Sequence, residues 1–482
     1  SAPATIAVAP AGNGAPTRYV AEQLAEQLSK RGHTVRLTSE RFIQALGAMN
    51  AIQPGDEANT ASLLAKFTPT GIFTAGLDDA SIVEWLDAQE AEHEFVIYEC
   101  DPEFTPWTAR CLRQADRVVL AASAPADPQM SRVEARLYQQ QSKGRRAATE
   151  LVLVHARDAK MPERAEVWLV DRPVSAHHHI REGNQSDIAR LTRLLLGDGV
   201  GIVLSGGGAR GFAHLGVLRA LEECDVPIDS IGGTSMGAII GGLAACGYSH
   251  EERMERARFG FGNHPPDKDY TLPIVAINHG GRSNTMLRSM YGDVLIENLW
   301  TPFFCVSTNL TRAMPRVARS GPLWKWVRAS SSPPGLAPPV FDDGQLIADG
   351  GILDNLPVGV MRATSGMRVT IASDVGAIGD SLRDLPQWDG VSGWAVLWQR
   401  LRGANADRQS GRSGVPSLAE VLMLTSTINS VPAGLEARRL ADLYLAPPPP
   451  DVKFMEWKAI DRVVDAGYRY AIERVREWCA RV

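Results

Sequence analysis

The order of apolar and polar positions divides the chain into alternating strand-sized and helix-sized pieces. Thr5–Ala9 is a short apolar run, followed by a Gly/Pro loop and a helical pattern from Arg18 to Lys30. Thr34–Leu37, Phe95–Tyr98, Arg117–Ala121 and Leu151–Val154 are further runs of the same kind. Short strands separated by helices predict an α/β layer with a parallel sheet, because each crossover helix returns the chain to the same end of the sheet. This first domain is expected over residues 1–181, ending in a loop that holds His177, His178 and His179. A connecting helix follows within residues 182–198, with Ser186 or Asp187 able to cap it. The pattern restarts at Gly201–Leu204 and defines a second α/β domain, 199–447, which stops where Pro447–Pro450 breaks the chain. Residues 448–482 carry Ile460, Val463, Val464, Tyr468, Ile472 and Val475 at helical spacing and predict a terminal amphipathic helix packed on that domain.

Composition narrows the function classes. At 482 residues the chain is too long for one core. Its formal net charge of -5 does not favour a polyanion, so no nucleic-acid partner is expected. The six cysteines are scattered without a CxxC, which fits neither a disulfide framework nor a thiolate zinc site. No segment approaches the roughly 18 uninterrupted apolar residues of a membrane-spanning helix. The expected setting is cytoplasmic, with a peripheral contact on the inner face of a membrane or an anchor upstream of these residues left open. The chain opens on Ser1 rather than Met, which fits a segment of a longer polypeptide. No cofactor is expected, and no metal. The three adjacent histidines have no acidic or cysteine partner at ligand spacing.

Three loops in the second domain carry chemistry. Gly206-Gly207-Gly208-Ala209-Arg210-Gly211 follows the strand Gly201–Leu204 and precedes a helical run, Phe212–Glu223. Glycines there leave backbone N–H groups uncovered beside a helix N-terminus, which suits a phosphate or the oxyanion of an attacked ester. Such a loop is also a common tight turn, and it lacks the Lys-Ser/Thr of a P-loop. Gly233-Thr234-Ser235-Met236-Gly237 lies between the segment Ile228–Ile231 and the apolar helix Ala238–Cys246. This is the G-x-S-x-G elbow, in which glycines permit a sharp strand-to-helix turn that presents the serine; the plainer alternative is a serine cap on a small-residue helix. Asp349-Gly350-Gly351 ends the apolar run Leu346–Ala348. Alone it reads as an ordinary Asp-Gly turn. Together the three supply an oxyanion hole, a nucleophile and a base.

Histidine is absent from this scheme. The α/β-hydrolase order places it after both serine and acid, yet the last histidine is His279 and none follows Asp349. His250, His264 and His279 stand between the two without a strand-end context, and His214 lies within a helix. A carboxylate bonded to the serine hydroxyl can serve as base if burial raises its pKa above the ordinary value of about 3.9. The expected cycle is attack by Ser235, proton transfer to Asp349, an acyl-enzyme, and water activated by Asp349. Asp342, Asp343, Asp354 and Asp374 compete for the role of base; the glycines Gly350 and Gly351 favour Asp349.

At these residues the chain resembles the patatin-like phospholipases, whose three marks are the GGGARG loop, the GTSMG elbow and the DGG acid. It is similar in particular to the neuropathy target esterase branch through Trp326-Val327-Arg328-Ala329-Ser330, Pro338-Pro339, Asn355-Leu356-Pro357, Thr105-Pro106-Trp107-Thr108 and Cys111-Leu112-Arg113-Gln114-Ala115-Asp116. The departures are Ser331–Gly335, which is richer in proline, and the histidine run. The resemblance implies a patatin-like three-layer α/β/α domain behind the smaller parallel α/β domain. It also implies a Ser235–Asp349 dyad, an oxyanion loop of Gly206, Gly207, Gly208 and Arg210, and action on phospholipids or lysophospholipids at a membrane surface. The membrane segment and cyclic-nucleotide-binding domains of many members have no counterpart in these residues. A lipid acyltransferase would use the same residues, and a non-catalytic anion-binding regulatory protein would leave Ser235 unreactive.

Two stretches are open in role. Val391, Trp394, Trp398 and Leu401 share one helical face, which fits a core helix or a lipid-docking one. Ala11–Thr17 of the first domain reads AGNGAPT, without a P-loop lysine, so no nucleotide hydrolysis is expected there.

Overall fold

Alternation along the first strands decides which side chains face which layer. In the computed structural model, β1 (Ala4–Pro10), β2 (Thr34–Leu37), β3 (Phe95–Glu99), β4 (Arg117–Ser123), β5 (Ala148–His155) and β6 (Ala176–Arg181) form a sheet in the order β2-β3-β1-β4-β5-β6. Its pairs are all parallel. Ile6, Val8, Ile97 and Val119 pack on one face with Val20 and Leu24 of the helix Thr17–Ser29. Ala7, Ala9, Val96 and Val118 pack on the other with Trp107, Leu137 and Trp168. Period-two alternation in fully buried strands thus builds a three-layer sandwich. The helix Gln185–Leu196, capped by Asn184 rather than by Ser186 or Asp187, places Ile188, Leu191 and Leu195 in the same core.

The structure describes residues 4–50, 79–141, 147–376, 422, 428–448 and 451–481. The tryptophan-bearing helix expected at Val391–Leu401 lies outside them. The chain divides into two units: Ser1–Val200 with Glu297–Pro302 and Ala363–Arg368, and Gly201–Ile296 with Phe303–Arg362 and Val369–Val482.

His177, His178 and His179 occupy strand β6, not a loop. Imidazoles read as polar in the pattern, but all three find partners in the interior. His177 and His179 each bond through Nε2 to the carbonyl oxygen of Glu297, at 2.8 and 2.7 Å. His155 and His179 share a 2.8 Å bond, and His178 reaches Glu150 at 2.7 Å. Burial lowers His155 and His177 to about 4 and holds His179 below its ordinary value, so these rings are neutral at pH 7.

The loop after β1 stands between a strand and a helix, as a phosphate cradle does, but its Gly12 N–H is already engaged by the side chain of Glu134. The Gly12 and Ser131 N–H groups donate to Glu134 Oε2 at 3.0 and 2.7 Å. Arg172 Nε donates to Glu134 Oε1 at 2.6 Å, and both side chains are buried. Pro16 leads the helix where a P-loop needs its lysine.

The second unit is built on a mixed sheet of β7 (Gly199–Leu204), β8 (Ser230–Thr234), β9 (Phe303–Asn309), β10 (Met314–Ala318), β11 (Val340–Asp342), β12 (Gln345–Asp349), β13 (Met367–Ser373) and β14 (Leu443–Leu445). The order is β11-β12-β9-β8-β7-β13-β14, with β10 paired to β9. β7, β8 and β9 run parallel, and β12 runs antiparallel to β9. The wholly buried helix Met236–Ala245 lies on one face, where Gly241 faces Ile231 and Phe303; Met361, of the helix Val358–Arg362, covers Gly201 on the other. The terminal helix Ile460–Cys479 crosses the helix Ala213–Glu223 in close backbone contact at Gly216 and Gly467. That contact braces the helix behind the glycine loop.

Candidate active site

Strand register brings the serine and the acid together. Thr234 at the end of β8 pairs with Val306 of β9, and Asp349 at the end of β12 pairs with Ser307 on the opposite side of the same strand. The chain turns at Ser235, the first residue past β8, with φ 54 and ψ -122. A side chain in that region stores of the order of 1–3 kcal/mol of strain. Gly237 makes the turn feasible, since a Cβ there would lie 2.1 Å from the Leu204 carbonyl oxygen. Ser235 N–H donates to Ser330 Oγ at 2.9 Å, and Ser330 Oγ donates to Val306 O at 2.5 Å, so the elbow is tied to the helix Leu323–Ser330 and to β9.

Ser235 Oγ donates to Asp349 Oδ2 at 2.9 Å. The other carboxylate oxygen accepts the Gly351 N–H at 2.8 Å, and the Asp349 N–H donates to Ser332 O at 3.0 Å. Asp349 is 4% exposed and Ser235 8%. Burial pushes the carboxyl up to about 7, against the lowering effect of its bonds from Gly351 and Ser235. The remaining acids serve elsewhere. Asp342 pairs with Arg316 and Lys325, Asp374 accepts from Tyr444 and Gly376, and Asp343 sits in a tight turn at φ 48. Asp354 is raised to about 6 by burial, and its carbonyl oxygen accepts from Thr234 Oγ1 at 3.0 Å. His214 bonds Ser373 and Ser205 O, is fully buried, and is lowered to about 4 by that burial.

The glycine loop stands beside the elbow. A Cβ at Gly206 would come 2.9 Å from Ser235 Cβ. The Gly206 N–H is taken by Asn355, donating to its Oδ1 at 3.2 Å and its O at 3.4 Å, while Asn355 Nδ2 donates to Gly206 O at 3.3 Å. Ala209 N–H donates to Phe454 O. The N–H groups of Gly207 and Gly208 have no acceptor among the described residues. Gly208 has φ +57, and Arg210 lies in the short turn Gly208–Phe212. Ser330, Ser332 and Asn355 are the site residues that sequence reasoning assigned no role. Each acts through contacts distant in sequence, and only the occurrence of Asn355 six residues beyond Asp349 hinted at a link to the acid loop.

Family models match both halves of the chain: "Patatin-like phospholipase" over residues 202–362, and "Neuropathy Target Esterase family P-loop like domain" over residues 3–195. The chain belongs to the patatin-like phospholipase family. It is 34% identical to patatin-like phospholipase domain-containing protein 6 of Homo sapiens, over 88% of this chain and 32% of that protein. It is 33% identical to patatin-like phospholipase domain-containing protein 7 of Mus musculus, over 97% and 34%. It is 32% identical to lysophospholipase NTE1 of Mycosarcoma maydis, over 82% and 24%. The chain thus spans about a third or less of the length of these patatin-like relatives. Among solved structures, VipD from Legionella pneumophila overlaps with a TM-score of 0.32 at 16% identity, over 58% of this chain and 67% of that one, a score too low to establish a shared fold.

Proposed function

We propose that this chain hydrolyses fatty acyl esters of phospholipids or lysophospholipids through a Ser235–Asp349 dyad. The observation that carries the reading is the 2.9 Å bond from the strained Ser235 hydroxyl to a buried carboxylate. In its ionised form Asp349 accepts the Ser235 proton as Oγ attacks the ester carbonyl. The developing oxyanion is received by the Gly207 and Gly208 N–H groups, which have no acceptor among the described residues. Collapse expels the alcohol with the proton held by Asp349, leaving an acyl-serine. The alcohol carries that proton away; Asp349 then takes a proton from water as the water oxygen attacks the acyl carbon, and returns it to Ser235 Oγ as the acyl–Oγ bond breaks and the fatty acid leaves. Membership of a phospholipase family supports the substrate class.

A fluorophosphonate ester tests this directly. The wild-type chain is expected to be labelled at Ser235, and Ser235→Ala to remain unlabelled. An unlabelled wild type, or label on another residue, would overturn the dyad and leave an anion-binding protein as the better account.

Asn355 holds the loop without meeting the reacting atoms. Asn355→Ala is expected to lower kcat and the phosphonylation rate by about tenfold to a hundredfold, with KM little changed, because Gly207 and Gly208 lose their fixed aim. Asn355→Asp keeps the acceptor for Gly206 N–H but sets a carboxylate against Gly206 O, and should recover only part of the rate.

A further inference from the structure

The segment between Asp267 and Gly281 forms a finger with an apolar tip. Its two legs pair at Tyr270 and Asn278, with Thr271 N–H donating to Ile277 O at 3.0 Å and His279 N–H to Asp269 O at 2.7 Å. The tip turns on itself through a 2.8 Å bond from Ile274 N–H to Leu272 O. Leu272, Ile274 and Val275 are 73%, 81% and 66% exposed, and Tyr270 is 74% exposed. Ala276 and Asn278 on the return leg are buried, so the finger has a seated base and a bare end.

The base is joined to the strip that holds the dyad. Ile277 and Asn278 N–H groups donate to Gly335 O and Leu336 O at 2.9 and 3.0 Å. A few residues upstream, Ser332 O receives Asp349 N–H and Ser330 Oγ receives Ser235 N–H. The near-buried Arg328 reinforces the joint: its guanidinium bonds Ser332 Oγ and Pro338 O and packs against Gly280. Asp269 Oδ2 accepts Arg282 N–H at 2.8 Å, and Asp267 accepts Trp457 Nε1–H at 2.8 Å, so both carboxylates near the finger are engaged at its base.

The order of chemistry along the finger matches a lipid–water boundary. Leu272, Pro273, Ile274 and Val275 form the end, Tyr270 the neck, and exposed Lys268 the level below. No charge occurs from Tyr270 to Asn278. Aliphatic side chains favour the acyl region, a tyrosine ring the headgroup level, and an ammonium the phosphates. A protein-binding patch of this size has no need of that gradient, and four solvent-facing apolar residues in a row are a cost unless something apolar receives them.

We infer that the Tyr270–Val275 finger inserts into a lipid surface and sets the chain down with its Ser235 site facing the lipid that supplies the ester. The choice of lipid as occupant rests on the proposed lipid esterase reading; the insertion itself does not depend on Ser235.

The test uses the full chain and vesicles of phosphatidylcholine, with Ile274→Asp/Val275→Asp beside wild type and Ser235→Ala. Wild type and Ser235→Ala are expected to co-sediment with vesicles at high salt, where surface ion pairing is screened. The double variant is expected to partition roughly tenfold or more weakly, since two charges replace two aliphatic groups that would otherwise enter the acyl region. It should lose activity on lysophosphatidylcholine held in vesicles while hydrolysing a soluble short-chain ester at the wild-type rate. Equal partition of variant and wild type, or a wild type that stays in the supernatant, overturns the finger as a lipid anchor. So does a size-exclusion shift from dimer to monomer in the double variant, which would make a second copy of the chain the occupant. Vesicle binding that persists while no form hydrolyses the soluble ester removes the esterase reading and leaves the anchor standing.

Discussion

Asp349→Asn is expected to lower kcat/KM for a soluble ester by about a thousandfold and to raise the melting temperature at pH 8. The first effect follows from the loss of a general base, which contributes roughly 10²–10⁴-fold. Asn keeps an oxygen for the Gly351 N–H but cannot take the Ser235 proton. The second follows from burial. The carboxyl of Asp349 is raised from 3.8 to about 7 in the folded chain. The fold therefore binds this proton more tightly than the unfolded chain does, and stability falls as pH rises from about 4 to about 7. Three pKa units correspond to about 4 kcal/mol, an upper bound for the penalty above pH 7. Asn carries no charge and escapes it, so the gain should be present at pH 8 and absent at pH 4. The wild-type rate should rise with pH through about 7, because only the ionised carboxylate accepts the proton. Thermal melts at the two pH values and a pH–rate profile check both halves. A melting difference that is the same at pH 4 and pH 8 would show that Asp349 is not held as a buried, proton-retaining acid.

Gly237→Ala is expected to remove activity more than a hundredfold and to cost several kcal/mol of stability. The added Cβ would lie 2.1 Å from the Leu204 carbonyl oxygen and 2.4 Å from its carbon. Both are backbone atoms of β7, so no side chain can rotate away. Overpacking of this kind costs about 1–3 kcal/mol and more where the backbone itself must move. The movement also reaches the glycine loop, because Ser205 and Gly206 directly follow Leu204. Denaturant unfolding together with fluorophosphonate labelling separates the two losses. A variant as stable as wild type but unlabelled would locate the damage in the loop alone.

Much of the fold could be read from local pattern. Thr34–Leu37 forms a strand with the expected bounds, because it is a short apolar run between turn residues. β11 and β14, three residues each, exist through pairing with β12 and β13 and carry no signal of their own. The histidine run misled because its strand character lies in burial, and the partner that makes burial tolerable, Glu297 O, is more than a hundred residues away. In the candidate site, Ser235 and Asp349 were visible because an elbow and an acid turn each require glycines at fixed spacing. Asn355 and Ser330 were not, since an amide or hydroxyl that braces a distant loop leaves no periodic trace.

The return of Glu297–Pro302 to the first unit bears on the order in which the chain can fold during synthesis. When the ribosome has released residue 200, the sheet β1–β6 is complete in sequence, yet His177 and His179 still lack the carbonyl that receives both rings. Nearly a hundred further residues must emerge before that acceptor arrives, and Ala363–Arg368 later still. In the interval water is the partner open to both rings, and the dry packing they have in the finished fold is not yet possible. The first unit therefore reaches its final packing only once residues 297–302 and 363–368, which lie far along the chain, have been made.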